Sequence, residues 1–428
     1  MYKSVHLYYS PLDIFEHHLF KTGVEVDTQN RVVVTGMGVV APNGIGLDAY
    51  WNSLIHCKSG IGPITLFDAA GLRCQIAGEV RDFNPHDYID PKLKPERRMS
   101  RASQFAIAAA RMAFKNAALN HENTKLIPVV MGVSTTAMDL RAQPSRPWSA
   151  VAGVPHAVGS AITYTLGLSA ELTTVSDGCA SGLDAIAMAA RKIIQGQFDI
   201  ALAGAADSSM ERYSFECFDK SHKISIRNAE PHRASRPFDR ERDGGIVSEG
   251  SSIVVLENLQ HALARGVIPY AEIVGYGNVA DAPCSEEGSG TEDAMKLALL
   301  NAALSPKDIN MINAHAPSDP HMDIVEVNAI KRVFGDIAYK IPVTSIKGVT
   351  GNALGAGCAH QFVAAVLSLK HSYVTPTANL EVPDPLCNLD HVPLVGRSQA
   401  LKYCMINTHG FGRGNSSLIL KKYISDAI

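Results

Sequence analysis

The alternation of apolar and polar residues predicts a regular succession of strands and helices along most of the chain. An apolar run begins at Arg31, RVVVTGMGVV, and is typical of a buried strand that ends in a glycine-rich turn. Similar runs predict strands over residues 127–133 and 199–205, and the sequence SEGSSIVVLEN (248–258) predicts another. Helical spacing predicts a short helix over residues 47–55. The first part of the chain is therefore predicted to form an α/β unit.

The same succession begins again in the second part of the chain. Five predicted strands recur in the same order, with helices between them, and most of them are apolar throughout. The repeated segments are PYAEIVGYGNVADA (269–282), INMINAHA (309–316), IPVTSIKG (341–348), YCMINTHG (403–410) and GRGNSSLILKK (412–422). The fold class is therefore α/β, with two homologous five-stranded halves. Ligands of such sheets gather at the carboxyl ends of the strands, so one site between the halves is expected.

This repeat predicts the domain boundaries. Residues 1–30 form an N-terminal extension, residues 31–265 the first half and residues 266–428 the second half. The extension lacks the basic start, apolar core and cleavage site of a signal peptide. We also find no apolar run of about 18 residues, so no membrane span is expected.

The stretch TTVSDGCASGLDAIAMA (173–189) has the strongest chemical signal. It follows a segment rich in Pro and Ser that is predicted to be a long loop. Cys179 lies where a strand changes into a helix, and the N-terminal end of a helix favours a thiolate over a thiol. Gly178 and Gly182 are expected to leave room for a substrate carbonyl. A buried cysteine that only packs is the alternative, but the flanking Ser-Asp-Gly and Ala-Ser-Gly favour a nucleophile.

Composition excludes several other classes of function. The formal net charge of −3 argues against a broad surface for nucleic acid or an anionic membrane. The eight cysteines and sixteen histidines are dispersed, without a CxxC pair or the spacing of metal ligands. We therefore expect reduced thiols, a cytoplasmic protein and no metal.

Five motifs in order resemble the β-ketoacyl-[acyl-carrier-protein] synthases of the type II elongating class, which have the thiolase fold. The resemblance covers the chain from Arg31 to about Lys422. It implies a thiolase-like fold in which α and β layers alternate as α-β-α-β-α. The motifs are DGCASG (177–182), SRPFDRERDGGIVSEG (235–250), NAHAPSD (313–319) with Glu326 eleven residues after its histidine, SIKGVTGNALGAG (345–357) and NTHGFGRGN (407–415).

The resemblance implies a role for each of these residues. Cys179 would carry an acyl group as a thioester, with the N–H groups of Cys179 and Phe411 as its oxyanion hole. His315 would assist the decarboxylation of a malonyl carrier protein, and the resulting enolate would attack the thioester. Lys347, paired with Glu326, would set the electrostatics around His315. Phe411 would gate the acyl tunnel.

Three departures from the family pattern surround the same site. Asn352 replaces the second catalytic histidine; it can donate a hydrogen bond but cannot carry a proton. The segment Ala316-Pro317-Ser318-Asp319 replaces residues whose threonines bind pantetheine, so Ser318 and Asp319 are expected to meet the substrate differently. Arg413, after Gly412, replaces a glycine of the gate. These changes predict a specialised substrate or an altered reaction.

Three classes of function remain open from the sequence. They are a condensing enzyme of fatty-acid or polyketide synthesis, a non-condensing acyltransferase or malonyl decarboxylase, and a partner subunit of a ketosynthase heterodimer. The expected partners are an acyl carrier protein and a second subunit, either a copy of this chain or a sister ketosynthase. No bound cofactor is expected, because phosphopantetheine would arrive on the carrier protein. The strand at Thr173–Ser176 is expected at the subunit interface.

Overall fold

The computed structural model describes residues 30–119, 125–135, 139, 149–282, 286–410 and 414–425, and one mixed sheet of eleven strands runs through them. The strands are β1 (Val32–Ala41), β2 (Gly44–Ile45), β3 (Gly62–Pro63), β4 (Ile76–Ala77), β5 (Val129–Gly132), β6 (Leu172–Val175), β7 (Ile200–Asp207), β8 (Gly250–Asn258), β9 (Ala271–Ala280), β10 (Met311–Asn313), β11 (Val343–Thr344), β12 (Tyr373–Val374), β13 (Arg397–Ser398), β14 (Tyr403–His409) and β15 (Gly414–Lys422).

Helices connect these strands and cover both faces of the sheet. They are α1 (Leu47–Ile55), α2 (Pro95–Arg98), α3 (Arg101–Asn116), α4 (Ser149–Ala152), α5 (His156–Leu166), α6 (Ser181–Ile194), α7 (Arg212–Lys220), α8 (Pro231–Ala234), α9 (Leu259–Ala264), α10 (Ser289–Asn301), α11 (Met322–Phe334), α12 (Lys347–Thr350) and α13 (Gly355–His371). None of the helices in the described ranges is long and apolar enough to cross a membrane.

The two halves arrange their strands identically, which confirms the predicted repeat. The first half has the order β1-β8-β7-β5-β6 and the second half β9-β15-β14-β10-β11. In each half the first two pairings are antiparallel and the last two are parallel. Strands β1 and β9 then join the halves through three residue pairs, Val32–Val34 with Ala271–Ile273.

Two helices form the layer between the halves. Helices α6 and α13 pack on each other, and each touches strands of both halves. They are rich in alanine and contribute many residues to the largest apolar cluster, because small side chains allow close approach. On the outside, α3 packs on β1 and β8, and α10 packs on β9 and β15. This arrangement is the alternation of α and β layers that the sequence predicted.

The segment predicted to be a long loop before Cys179 contains a helix. In α5, Val158, Ile162 and Leu166 are buried at a spacing of four residues, so one face of the helix packs on the sheet although the segment is rich in Pro and Ser. The prediction was wrong at this point because a helix of three turns gives only a short periodic signal. Helix α5 packs on β6, the strand at one edge of the sheet.

Candidate active site

Residues from both halves line one cavity at the carboxyl ends of the parallel strands. Cys179, His315 and Asn352, three of the four residues predicted to be catalytic, all lie in its wall. The sheet therefore brings together residues that are up to 173 positions apart, from Cys179 to Asn352. The remaining lining residues are Phe218, Lys223, Ile224, Gly245, Ile246, Val247, Pro317, Asp319, Met322, Leu354, His409 and Gly410.

Cys179 lies in the turn between β6 and α6, as the sequence predicts. Gly178 adopts φ +53°, a left-handed conformation that glycine tolerates. The N–H of Ser181 then donates to the carbonyl of Gly178, and α6 begins at Ser181, two residues after the cysteine. The thiol is buried, and the positive end of the helix dipole faces it. Local geometry therefore suits a nucleophile.

The glycine that keeps side chains away from Cys179 comes from the second half. A Cβ on Gly410 would lie 2.7 Å from the backbone nitrogen of Cys179, so only glycine allows β14 to end against the cysteine. Gly182 has another role than expected. Its Cβ would lie 2.5 Å from the carbonyl oxygen of Gly355 and 2.8 Å from Cβ of Ala205. Gly182 therefore permits the close contact of α6 with α13 and does not leave room for substrate.

Most other cysteines are poor nucleophiles because burial raises the pKa of their thiols. Cys217 is exposed on α7 and does not line the cavity, and Cys284 lies outside the described residues. Cys179 is thus the cysteine that is placed to act as the nucleophile in the cavity. The pKa rises to about 11 for Cys57, to about 12 for Cys74, Cys387 and Cys404, and still further for Cys358.

His315 follows β10 and is buried in the cavity wall. Its Nδ1 lies 3.4 Å from Nζ of Lys347 and 3.4 Å from Oγ1 of Thr408. Burial, then the charge of Lys347 and the neighbouring His409, hold the pKa of His315 well below its usual value. The ring is therefore neutral near pH 7. Because an ammonium group can only donate, Nδ1 accepts from Lys347 and the proton of the ring lies on Nε2.

Lys347 is held by three acceptors although it is fully buried. Its Nζ donates to the backbone carbonyl of His315, to Nδ1 of the same residue and to Oε1 of Gln361 at 3.0 Å. The amide nitrogen of Gln361 donates to the carbonyl of Ala314 at 2.8 Å, which fixes the orientation of the amide. Burial lowers the pKa of Lys347 to about 8, against the opposing charge of Glu326. Gln361 lies beyond the motif and was missed from the sequence.

The predicted ion pair between Lys347 and Glu326 is wrong. The carboxylate of Glu326 accepts from the backbone N–H groups of His315 at 2.9 Å and Ala316 at 2.8 Å. The side chain of His409 lies beside this carboxylate, with its Nε2 3.8 Å from Oε2 of Glu326. Burial opposes ionisation, but His409 and the two N–H groups outweigh it and hold the pKa of Glu326 below its ordinary value. Glu326 therefore fixes the loop after β10 through its backbone. The atoms that accept hydrogen bonds from Lys347 all belong to neutral groups, those of His315 and Gln361.

His409 is a site residue that was not predicted from the sequence. It is the last residue of β14, and its ring lines the cavity with the centroid 4.3 Å from that of His315. The departure is visible in the sequence, because NTHGFGRGN (407–415) resembles the ketosynthase motif NSFGFGGTN, which has phenylalanine at the position of His409.

Asn352 is placed by its backbone against the loop before β8. Its N–H donates to the carbonyl of Ile246 at 2.7 Å, and its carbonyl accepts from Ser248 at 3.1 Å. The side-chain Oδ1 is buried and has no hydrogen-bond partner among the described residues. A buried amide oxygen without a partner costs free energy, and Asn352 lies in the cavity wall, where a ligand can contact its side chain.

Ser318 and Asp319 were both expected to bind substrate, but only Asp319 lines the cavity. Ser318 is buried with φ +74°, and its Oγ accepts from the backbone N–H of Arg236 at 3.0 Å. It does not line the cavity. Asp319 does line it, but its Oδ1 accepts from the N–H groups of His321 and Met322 at the start of α11. Its Oδ2 lies 3.5 Å from Nζ of Lys223.

The other predicted substrate-binding residues, Phe411, Gly412 and Arg413, lie outside the described residues. Their roles in the gate and the oxyanion hole stay predictions. Within the described ranges, no group of three or more His, Cys, Asp or Glu side chains is arranged to hold a metal ion.

Comparison with known proteins identifies this arrangement. Residues 29–262 match the family model "Beta-ketoacyl synthase, N-terminal domain", and residues 270–381 match "Beta-ketoacyl synthase, C-terminal domain". The chain is 36% identical over 412 residues to 3-oxoacyl-[acyl-carrier-protein] synthase 2 of Synechocystis sp., covering 92% of this chain and 99% of that protein. It is also 36% identical over 419 residues to the tetracenomycin polyketide synthase ketoacyl synthase alpha subunit of Streptomyces glaucescens, covering 92% and 97%.

Solved structures of similar proteins have the same fold. The ishigamide ketosynthase/chain length factor superposes with a TM-score of 0.86 at 32% identity, over 93% of this chain and 100% of that chain. The complex AntDE:AntF, described as a type II polyketide synthase acyl-carrier protein with its ketosynthase, gives 0.84 at 32% identity over 93% and 100%.

Proposed function

Because this chain belongs to the β-ketoacyl synthase family, we propose that it joins an acyl group on Cys179 to malonyl carrier protein by decarboxylative condensation. The observation that carries this proposal is the single cavity lined by Cys179, His315 and Asn352. A thiol can hold the acyl group there while two hydrogen-bond donors reach the second substrate.

The first half of the reaction is acyl transfer to Cys179. The thiolate attacks the thioester of an acyl carrier protein, a new thioester forms on the sulfur, and the carrier thiol leaves. The helix α6 favours the thiolate, and the end of β14 at Gly410 closes over the cysteine without a side chain. We expect backbone N–H groups to hold the oxyanion of this step.

The second half of the reaction is decarboxylation and attack. We propose that Nε2–H of His315 and the side-chain amide of Asn352 donate to the thioester oxygen of the malonyl group. His315 is buried and Asn352 is half-buried, and hydrogen bonds to developing charge are stronger in such a site than in water. Lys347 fixes the tautomer of His315 through Nδ1 and is thus a positioning residue.

The proposed partners are an acyl carrier protein and a second subunit. The acyl group and the malonyl group arrive on phosphopantetheine attached to the carrier protein, so the enzyme is expected to need no resident cofactor. We expect the reaction in the cytoplasm, since the cysteines are scattered as in proteins with reduced thiols.

Strand β6 is the proposed site of subunit pairing. All four of its residues are half-buried at the edge of the sheet, and such an edge favours pairing with another strand. The opposite edge, β11, is buried, and the N–H of Val343 donates to the carbonyl of Asp390. A two-fold pairing of β6 would give a dimer of twice the 45.9 kDa chain. Light scattering checks the mass, and mixing with a sister ketosynthase separates a homodimer from a heterodimer.

The test of function compares the parent with Cys179→Ala. We incubate each protein with an acyl carrier protein and malonyl carrier protein and analyse the products by mass spectrometry. The parent is expected to form a β-ketoacyl carrier protein and the variant is not. An acyl adduct on Cys179 without a β-ketoacyl product would instead identify a non-condensing acyltransferase, and no adduct would favour a partner subunit.

A further inference from the structure

A histidine occupies the wall of the cavity at a position that the proposed mechanism does not use. The side chain of His409 is only 12% exposed, and its Nε2 has no hydrogen-bond partner among the described residues. Its ring lies at 52° to that of His315, with the centroids 4.3 Å apart. A group that contacts Nε2–H of His315 in the cavity is therefore also within reach of His409.

The carboxylate of Glu326 lies next to the ring of His409. The carboxylate of Glu326 is fully buried, and Oε2 lies 3.8 Å from Nε2 of His409. An imidazole ring can carry the positive charge that matches this carboxylate, and it can donate from either nitrogen. A phenylalanine at this position, as in the motif that the chain otherwise resembles, could do neither.

The neighbouring Asn352 lacks this capacity. An amide donates a hydrogen bond but cannot carry a proton or a positive charge near pH 7. The cavity thus has an asparagine where the family motif has a histidine and a histidine where it has a phenylalanine. We propose that His409, held by Glu326, is a further catalytic residue that contacts the malonyl thioester and stabilises the enolate formed from it. This inference rests on the proposed function.

The step balances without another reactant. The bond between the carboxylate carbon and the α-carbon of the malonyl group breaks, CO₂ leaves, and the electron pair forms the enolate. The α-carbon then attacks the thioester carbonyl on Cys179, the new C–C bond forms, and the Cys179 sulfur leaves as a thiolate. Negative charge passes from carboxylate to enolate oxygen to sulfur, so a ring N–H of His409 that donates to the enolate oxygen lowers the barrier without a net proton transfer.

The experiment restores the motif residue by His409→Phe. We measure three rates: acylation of Cys179, release of CO₂ from malonyl carrier protein, and formation of the β-ketoacyl product. The expected result is a loss of about 10²-fold or more in the last two rates, with acylation unchanged. His371→Phe is the matched control, because this exposed residue stacks its ring on Trp51 and does not line the cavity.

A second variant moves the histidine within the cavity. The double variant Asn352→His with His409→Phe is expected to recover most of the lost rate, because it returns a histidine to the cavity wall. If His409→Phe does not fold, His409→Gln keeps a donor but loses the imidazole ring that lies between Glu326 and His315, and it is expected to be slow in the same two steps.

The possible negative results lead to different conclusions. A parent that forms no β-ketoacyl product overturns the proposed function and this inference with it. A parent that condenses, together with His409→Phe or His409→Gln at the parent rate, overturns this inference alone. Equal losses of acylation and condensation, or a double variant as slow as His409→Phe, also overturn it, because the variant would then have lost packing and not a contact with the malonyl thioester.

Discussion

The ammonium group of Lys347 lies 3.4 Å from Nδ1 of His315, and both side chains are buried. This contact decides the tautomer of the histidine, because Nδ1 can accept from the ammonium group only if the proton of the ring is on Nε2. Whether Nε2 of His315 carries the proton that can be donated to a substrate therefore depends on the protonation of Lys347.

The pH dependence of condensation follows from this contact. Burial lowers the pKa of Lys347 to about 8, so its proton is lost as the pH rises through that value. The pKa of His315 lies well below 6.5, so the ring is neutral throughout and gives no loss on the acid side near neutral pH. We expect the rate of condensation to be level around pH 7 and to fall above about 8.

Single-turnover kinetics measures this dependence without interference from the thiol. Cys179 is acylated in advance, malonyl carrier protein is added at each pH, and product is quantified. Lys347→Met should be slower at every pH and should lose the alkaline fall. A parent rate that stays level well above pH 8 would show that Lys347 does not control the step.

Asn352→Ala should impair condensation but not acylation. The variant removes a donor aimed at developing charge, which typically costs 10²- to 10³-fold, or about 2.7–4 kcal/mol. Acylation of Cys179 should be nearly unchanged, since backbone N–H groups serve that step. Asn352→His is the matched variant and should retain or raise condensation. Condensation by Asn352→Ala at the parent rate would make Asn352 a packing residue.

Asp319→Ala should destabilise the fold, because the carboxylate of Asp319 caps the backbone N–H groups of the N-cap residue His321 and of Met322 at the start of α11. Its Oδ1 accepts from two backbone N–H groups at 2.9 Å each, those of His321 and Met322. Loss of such a cap costs about 0.5–2 kcal/mol of the free energy of unfolding. Urea unfolding measures the difference, with Asp319→Asn as the control that keeps the acceptor. Equal loss in both variants would assign the effect to the ion pair with Lys223.

The fold and the principal site residues could be predicted from the sequence because their signals are local. The repeated apolar runs predicted both halves, and the turn after Thr173 predicted the placement of Cys179 at the start of a helix. Ordered motifs then predicted that His315 and Asn352 would join it, and the cavity does contain all three.

The partners of the buried charges could not be predicted in this way. Lys347 and Glu326 are adjacent to the same histidine, yet one binds its ring and carbonyl and the other binds its backbone N–H. Which atoms face each other depends on the packing of α11, α12 and α13, and no local pattern records it. Gln361 and His409 were missed for the same reason, since each acquires its partners only in the folded chain.

The central claim is that Cys179 holds the acyl group that is condensed in the cavity, and a time course of intact mass tests it most directly. The acylated enzyme is isolated from excess acyl carrier protein and mixed with malonyl carrier protein, and both proteins are followed together. We expect the acyl adduct on Cys179 to disappear at the rate at which β-ketoacyl carrier protein appears, one for one. Product formed while the adduct persists, or an adduct that is lost only by hydrolysis, would contradict it.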